Sequence, residues 1–111
     1  MTTRSWLVGL LVVLAVLIGA APVGPALAQN PVKIGVLTPL SPPGDASAGQ
    51  FIVRGAKMAA DDVNARGGVL GGRKIELHIE DDSGTPEKGV AGFRKLATQD
   101  RAVAVIGQFH S

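Results

Sequence analysis

The side chains that could do chemistry in this chain fall into three short clusters. Ser41 and Ser47 sit in a stretch rich in proline and glycine, Thr38–Gly49. Asp81 and Asp82 are adjacent, with Glu87 five residues on. Gly107-Gln108-Phe109-His110-Ser111 forms the third. Serine hydroxyls can donate to a carboxylate or another polar acceptor, and the free backbone N–H groups at a helix start can do the same. A helix opening near Gly49-Gln50 would supply such groups beside Ser41 and Ser47. This is the chemistry of binding. Ser41 and Ser47 also read as ordinary loop or capping serines, and Ser111 stands open between the two readings.

Patterns for other chemistry are missing. The glycines of Thr38–Gly49 do not make G-x-G-x-x-G, and no Lys-Ser or Lys-Thr pair follows them, so neither dinucleotide nor P-loop binding is supported. There is no G-x-S-x-G elbow. His78 and His110 lie on different elements without a metal spacing. Asp81, Asp82 and Glu87 lack the D-x-D-x-D-G ligand spacing for calcium. They read as a solvated turn leading into a helix cap. With no nucleophile and base to pair, an enzyme is not expected, and neither a cofactor nor a metal is called for.

The elements that must position these residues alternate in type. Val32–Leu37 is a short apolar run suited to a strand covered on both faces. Pro39, Pro42, Pro43 and Gly44 cannot continue it. From Gln50 the apolar residues Ile52, Ala56, Ala59 and Val63 recur at helical spacing, and Gly67-Gly68 stops the helix. Val69 and Leu70 are placed to fold back on that helix. In Arg73–Glu80, Ile75, Leu77 and Ile79 alternate with Glu76, His78 and Glu80, the pattern of an edge strand with one buried face. His78 is then an exposed strand residue. Thr85 and Pro86 open a second helix, Pro86–Gln99, with Val90, Phe93, Leu96 and Ala97 as its apolar stripe and Lys88, Arg94 and Lys95 facing water. Ala102–Ile106 is a third strand. The order β-α-β-α-β with right-handed crossovers predicts an α/β fold, a three-layer parallel sheet of order 2-1-3. Loops leaving the carboxyl ends of such strands are where ligands sit.

Residues 1–28 stand apart from this pattern. No charge occurs between Arg4 and Lys33; Trp6–Ala21 is almost wholly apolar; Pro22, Gly24 and Pro25 break it; and Ala26-Leu27-Ala28 supplies small-x-small. These are the parts of a secretory signal peptide, with cleavage expected after Ala28. The remaining 83 residues, 29–111, carry ten basic and nine acidic side chains. No basic run and only four aromatics in the whole chain argue against a nucleic-acid partner. There is no cysteine, so no disulfide can support an exported domain and no lipid-modified cysteine can anchor it. An α/β domain of this size buries only about 60–65% of its unfolded surface. The chain therefore reads as part of a longer protein.

Several stretches, in order, carry a resemblance: Lys33-Ile34-Gly35-Val36-Leu37-Thr38-Pro39-Leu40-Ser41, Arg54-Gly55-Ala56-Lys57-Met58-Ala59, Asp62-Val63-Asn64, Gly67-Gly68-Val69-Leu70-Gly71, Glu80-Asp81-Asp82, Pro86-Glu87-Lys88 and Val105-Ile106-Gly107. Each is weak alone, but their joint order and spacing resemble the start of the periplasmic leucine/isoleucine/valine-binding proteins, the substrate-binding components of branched-chain amino-acid ABC transporters. The resemblance implies a fold of two α/β lobes closing on a ligand, of which residues 29–111 are the first part of lobe one. It implies that Ser111 takes the ligand carboxylate. It places Ala48 where relatives often carry a pocket-lining ring. Gly84 and His110 match the places where some members carry a disulfide. The carboxylate for the ligand ammonium belongs to the other lobe.

The expected function is capture of an amino acid, of branched-chain type, or a related small amide in the periplasm for delivery to a membrane ABC permease. The full-length protein is expected to be a monomer. Two alternatives remain: a ligand-sensing receptor module of the same fold, and an exported α/β enzyme. The ligand contacts expected are Ser111, Ala48, Ser41 and Ser47.

Overall fold

The computed structural model describes residues 29–109. The leader at 1–28, together with His110 and Ser111, lies outside the described residues. Three strands, β1 (Val32–Thr38), β2 (Ile75–Asp81) and β3 (Ala104–Gly107), alternate with helices α1 (Ala46–Ala65) and α2 (Pro86–Thr98). The sheet is parallel, in the order β2-β1-β3, as the alternation predicts. Val32 pairs with Ile75 and Thr38 with Asp81 on one side of β1; Ile34 pairs with Ala104 and Leu37 with Gly107 on the other.

The core follows from the central place of β1. Val36, Leu37 and Thr38 are 0–1% exposed. Ile34 shares an apolar cavity of about 150 Å³ with Ile75, Leu77 and Ile106 of the sheet and Ala56, Ala60 and Val63 of α1. The other face meets α2 at close range. A Cβ on Gly35 would lie 2.9 Å from Leu96 Cδ1, and one on Gly92 would lie 2.7 Å from Leu37 Cδ1. Leu96 is fully buried between them. Burial of a leucine of this kind stabilises by about 1.5–3 kcal/mol.

Several boundaries and environments differ from the sequence reading. α1 begins at Ala46 rather than Gln50, because Asp45 caps it: Ala48 N–H donates to Asp45 Oδ1 over 3.0 Å. Arg73 lies outside β2, in an antiparallel bridge with Val69, while its guanidinium donates to the Asn30 carbonyl at 2.7 Å. Leu70 does not tuck under the helix; it stands 73% exposed at a turn tip with φ 49°. β3 starts two residues late, because Ala102 N–H is still spent on the Leu96 carbonyl (2.9 Å) at the helix exit.

The polar side of β2 is not free to solvent either. His78 is half-buried, with Nε2 2.5 Å from Glu76 Oε1 and Nδ1 3.4 Å from Asp100 Oδ1. Lys95 of α2 reaches across to Glu80. In α2, Leu96 is buried as the stripe predicts, but Val90 and Phe93 are more than half exposed. Gly92 takes the contact with the sheet instead, against Leu37 and Glu80, and Gly89 is buried beside the Gln108 side chain.

Candidate functional site

A parallel sheet delivers all its strand exits to one edge. Thr38, Asp81 and Gly107 therefore end β1, β2 and β3 side by side. The two loops that begin there, β1–α1 and β2–α2, are joined by one carboxylate. Asp81 stands in register with Thr38, so its side chain reaches the N–H groups just past the end of β1. Asp81 Oδ1 accepts from Leu40 N (2.7 Å) and Ser83 N (2.8 Å). Asp81 Oδ2 accepts from Ser41 Oγ at 2.5 Å and more weakly from Ser83 Oγ at 3.4 Å. The two hydroxyls lie 2.7 Å apart, and Lys88 Nζ donates to Ser83 Oγ at 2.9 Å.

Electrostatics at Asp81 follow from these contacts. Burial works against its charge, but the hydrogen bonds from Ser41, from the Leu40 and Ser83 backbone and from the Ser83 hydroxyl outweigh it. They hold the carboxyl at about 2, below its ordinary 3.8. The carboxylate is thus ionised and fully engaged with the protein.

Asp82 and Ser83 are 1% and 0% exposed. The expected solvated turn is a buried joint. Asp82 Oδ1 accepts from Gly84 N at 2.7 Å, and the Asp82 carbonyl accepts from Thr85 N at 2.9 Å. Ser83 holds a left-handed φ of 50° to fit. Lys88 is exposed, as expected, and its ammonium donates to the Ser83 hydroxyl. Gly44 presses the first loop against the second: a Cβ there would lie 2.5 Å from Pro39 Cβ and 2.8 Å from Gly84 N. Two buried oxygens of this region, Thr38 Oγ1 and Asp82 Oδ2, have no hydrogen-bond partner among the described residues.

The four residues named from the sequence fare differently. Ser41 is at the site, but its hydroxyl is committed to Asp81 and Ser83. Ser47 is exposed and Ala48 half-buried in the first turn of α1. Ser111 lies outside the described residues. The helix start that was to offer N–H groups near Gly49-Gln50 lies four residues earlier, and its positive end is taken by the Asp45 carboxylate. Gly49 N–H is spent on the Asp45 carbonyl at 3.0 Å. Sequence reasoning missed Asp81 as a hub. What places it is the register of β1 and β2, which sets Asp81 opposite Thr38 and has no local signature in the sequence.

β3 joins this edge tightly. Gln108 N donates to the Leu37 carbonyl at 3.0 Å. Gly107, at φ 127°, lies so near that a Cβ would fall 1.9 Å from Leu37 O. Among the described residues no group of three or more His, Cys, Asp or Glu is placed to hold a metal ion. The arrangement is a rigid polar rim of loops at the carboxyl edge of a sheet, suited to hold one side of a small ligand.

Residues 31–111 match the family model for periplasmic binding proteins. The chain is 46% identical over 67 residues to the amino acid binding protein of Pseudomonas aeruginosa, covering 60% of this chain and 18% of that protein. It is similar to the substrate-binding protein of a branched-chain amino acid transporter from Streptococcus pneumoniae, solved with isoleucine, with a TM-score of 0.66 and 30% identity. That match covers 71% of this chain and 22% of the other. It is also similar to a solute-binding protein of an ABC transporter from R. palustris, solved with benzoate, with a TM-score of 0.61 and 35% identity over 74% of this chain and 22% of that one. The chain thus spans about a fifth of the length of these relatives.

Proposed function

Because this chain belongs to the periplasmic binding protein family, we propose that it supplies part of the first lobe of a substrate-binding component of an ABC transporter. The ligand is a small polar solute, an amino acid of branched-chain type or a related small amide. The protein captures it in the periplasm and delivers it to a membrane permease. Residues 1–28 direct export and are removed after Ala28. The work is binding and release, with no chemical step.

The observation that supports this reading is the joint at Asp81. Fixing two strand-exit loops to one carboxylate creates a preformed wall at the sheet edge where α/β folds bind ligands. On this reading Asp81, Ser83 and Lys88 set the wall's shape. Ser111, four residues after Gly107 in the sequence, donates its hydroxyl to the ligand carboxylate, a contact worth about 1.5–3 kcal/mol when the acceptor is charged. Ala48 lines the pocket with a methyl group, and Ser47 stands beside it. Ser41 acts through Asp81 rather than on the ligand. Closure of a second lobe completes capture, so ligand must bind the closed form better.

The test is calorimetric titration of L-isoleucine, L-leucine and benzoate into this chain joined to the remaining portion of the Pseudomonas aeruginosa relative. Binding of one of them, weakened about tenfold or more by Ser111→Ala, supports the reading. No binding of any of the three counts against the function, and binding indifferent to Ser111→Ala removes the role of that serine.

A further inference from the structure

The two ends of this sheet differ in charge. At the carboxyl edge strands end and helices begin; at the amino edge strands begin and helices end. The acids Asp45, Asp81, Asp82 and Glu87 gather at the carboxyl edge, with Lys88 among them. At the amino edge Lys33, Arg73, Lys74 and Arg101 have no acidic partner among the described residues. Arg73 and Lys74 donate to the carbonyls of Asn30 and Asn64, each at 2.7 Å, which leaves their charge uncancelled. The acids nearest them are engaged: Asp62 pairs with Arg66, and Glu76 and Asp100 face His78. Asp61, exposed on α1, is the one unpaired acid on this half of the described fold. The starts of three parallel strands span about 10 Å, close to one Debye length, so these cations act as one rim.

The second feature of this edge is apolar. Val69 and Arg73 exchange both backbone hydrogen bonds, at 2.7 and 2.8 Å, and close a stiff turn just before β2. Leu70 at its tip is 73% exposed and sits at φ 49°. That conformation is costly for leucine and suits glycine or asparagine. A large apolar side chain thus stands at a strained, exposed tip, with Arg66, Arg73 and Lys74 close by in sequence. Apolar tip and basic flanks together match a partner that is apolar within and anionic at its surface.

We propose that the amino edge is a docking surface for an anionic lipid membrane. Leu70 enters the acyl boundary, and Arg73, Lys74 and Arg101 meet the phosphate headgroups. The acids and the loop wall of the carboxyl edge then point away from the lipid. The hold is reversible, in a chain that has no cysteine to carry a lipid anchor. This inference does not depend on which ligand the protein binds.

The experiment uses residues 29–111 joined to the remaining portion of the Pseudomonas aeruginosa relative, made without residues 1–28 because their apolar run would bind lipid by itself. Co-sedimentation is measured with vesicles of phosphatidylcholine mixed with phosphatidylglycerol, and with vesicles of phosphatidylcholine alone. Binding to the mixed vesicles is expected, weakened by high salt and absent from the neutral ones. Lys74→Glu and Arg101→Glu should each weaken it about tenfold or more. Leu70→Asn should weaken it about fivefold, and because asparagine tolerates the left-handed turn that loss is not loss of fold. Arg54→Glu makes the same change of charge roughly 16 Å up α1, beyond a Debye length, and should leave binding within twofold. No binding to mixed vesicles, equal binding to neutral ones, or an equal loss in Arg54→Glu would each overturn the proposal. Binding to native membrane vesicles but not to protein-free lipid would assign the surface to a membrane protein and also overturn it.

Discussion

Leu40 donates its backbone N–H to Asp81 Oδ1 over 2.7 Å, across 41 residues of sequence. This contact, with the Ser41 and Ser83 bonds to the same carboxylate, sets what substitutions at Asp81 do. Asp81→Ala leaves the Leu40 and Ser83 N–H groups without their acceptor. Hydrogen bonds to charged groups are worth about 1.5–3 kcal/mol each and are not additive, so a loss of about 3 kcal/mol is expected. Asp81→Asn keeps an acceptor for Leu40 and Ser83 N–H, and should cost about half as much. Urea unfolding of each variant, followed by circular dichroism, checks the order; equal costs would show that a neutral acceptor rescues nothing and that the charge carries the whole effect.

The same carboxylate makes stability depend on pH. Its folded pKa of about 2 is below the ordinary 3.8, so the folded form holds the proton less tightly. The stabilisation is complete well above 3.8 and is lost as pH falls from there toward about 2. The difference in stability between the parent chain and Asp81→Asn should therefore shrink across that window and stay constant at higher pH. A difference that holds steady down to the acid end would refute the assignment.

Asn64 clips the end of α1 to the start of β2. Its Nδ2 donates to the Ile75 carbonyl at 2.9 Å, and its Oδ1 accepts from Ile75 N at 2.7 Å. Asn64→Ala strands both backbone groups and should cost about 1–3 kcal/mol. Asn64→Asp keeps the acceptor but turns a carboxylate oxygen toward the Ile75 carbonyl, so it should not rescue. Amide hydrogen exchange at Ile75 would separate the two, with much faster exchange in Asn64→Ala, which loses the acceptor, than in Asn64→Asp, which keeps it.

Two glycines of α1 should respond in opposite directions. Gly55 has no neighbouring atom within 4 Å of a built Cβ, whereas the Cβ of an alanine at position 49 would fall 1.7 Å from the Pro39 carbonyl oxygen. Gly55→Ala should stabilise by about 0.5–1 kcal/mol through helix propensity. Gly49→Ala gains the same propensity but must push the backbone of the first loop away, and should be destabilising. Thermal midpoints of the two variants, moving up and down respectively, check the pair.

The parts of this fold that rest on local pattern were legible in the sequence. Val36 and Leu37 behave as the apolar run of β1 implies, and the order β2-β1-β3 follows from alternation and handedness. What escaped was set by contact between distant residues. Nothing near Asp81 announces that its carboxylate will meet Leu40 and Ser41, because that depends on the register of two strands. The start of α1 was misplaced because Pro42, Pro43 and Gly44 suggest a long loop, while the cap at Asp45 ends it early. Phe93 and Val90 fit a helical stripe by spacing, yet Gly92 and Leu96 make the contact with the sheet and both side chains stay exposed.

Gly44 and Gly84 meet so closely that no side chain fits at their seam. Together with the Asp81 bonds, this makes the two loops one lever rather than two fingers. A push on the tip near Pro42 is passed to Ser83 and the start of α2 without slack. A change of ligand preference would then come from side chains outside the seam, because alterations within it displace the whole wall at once.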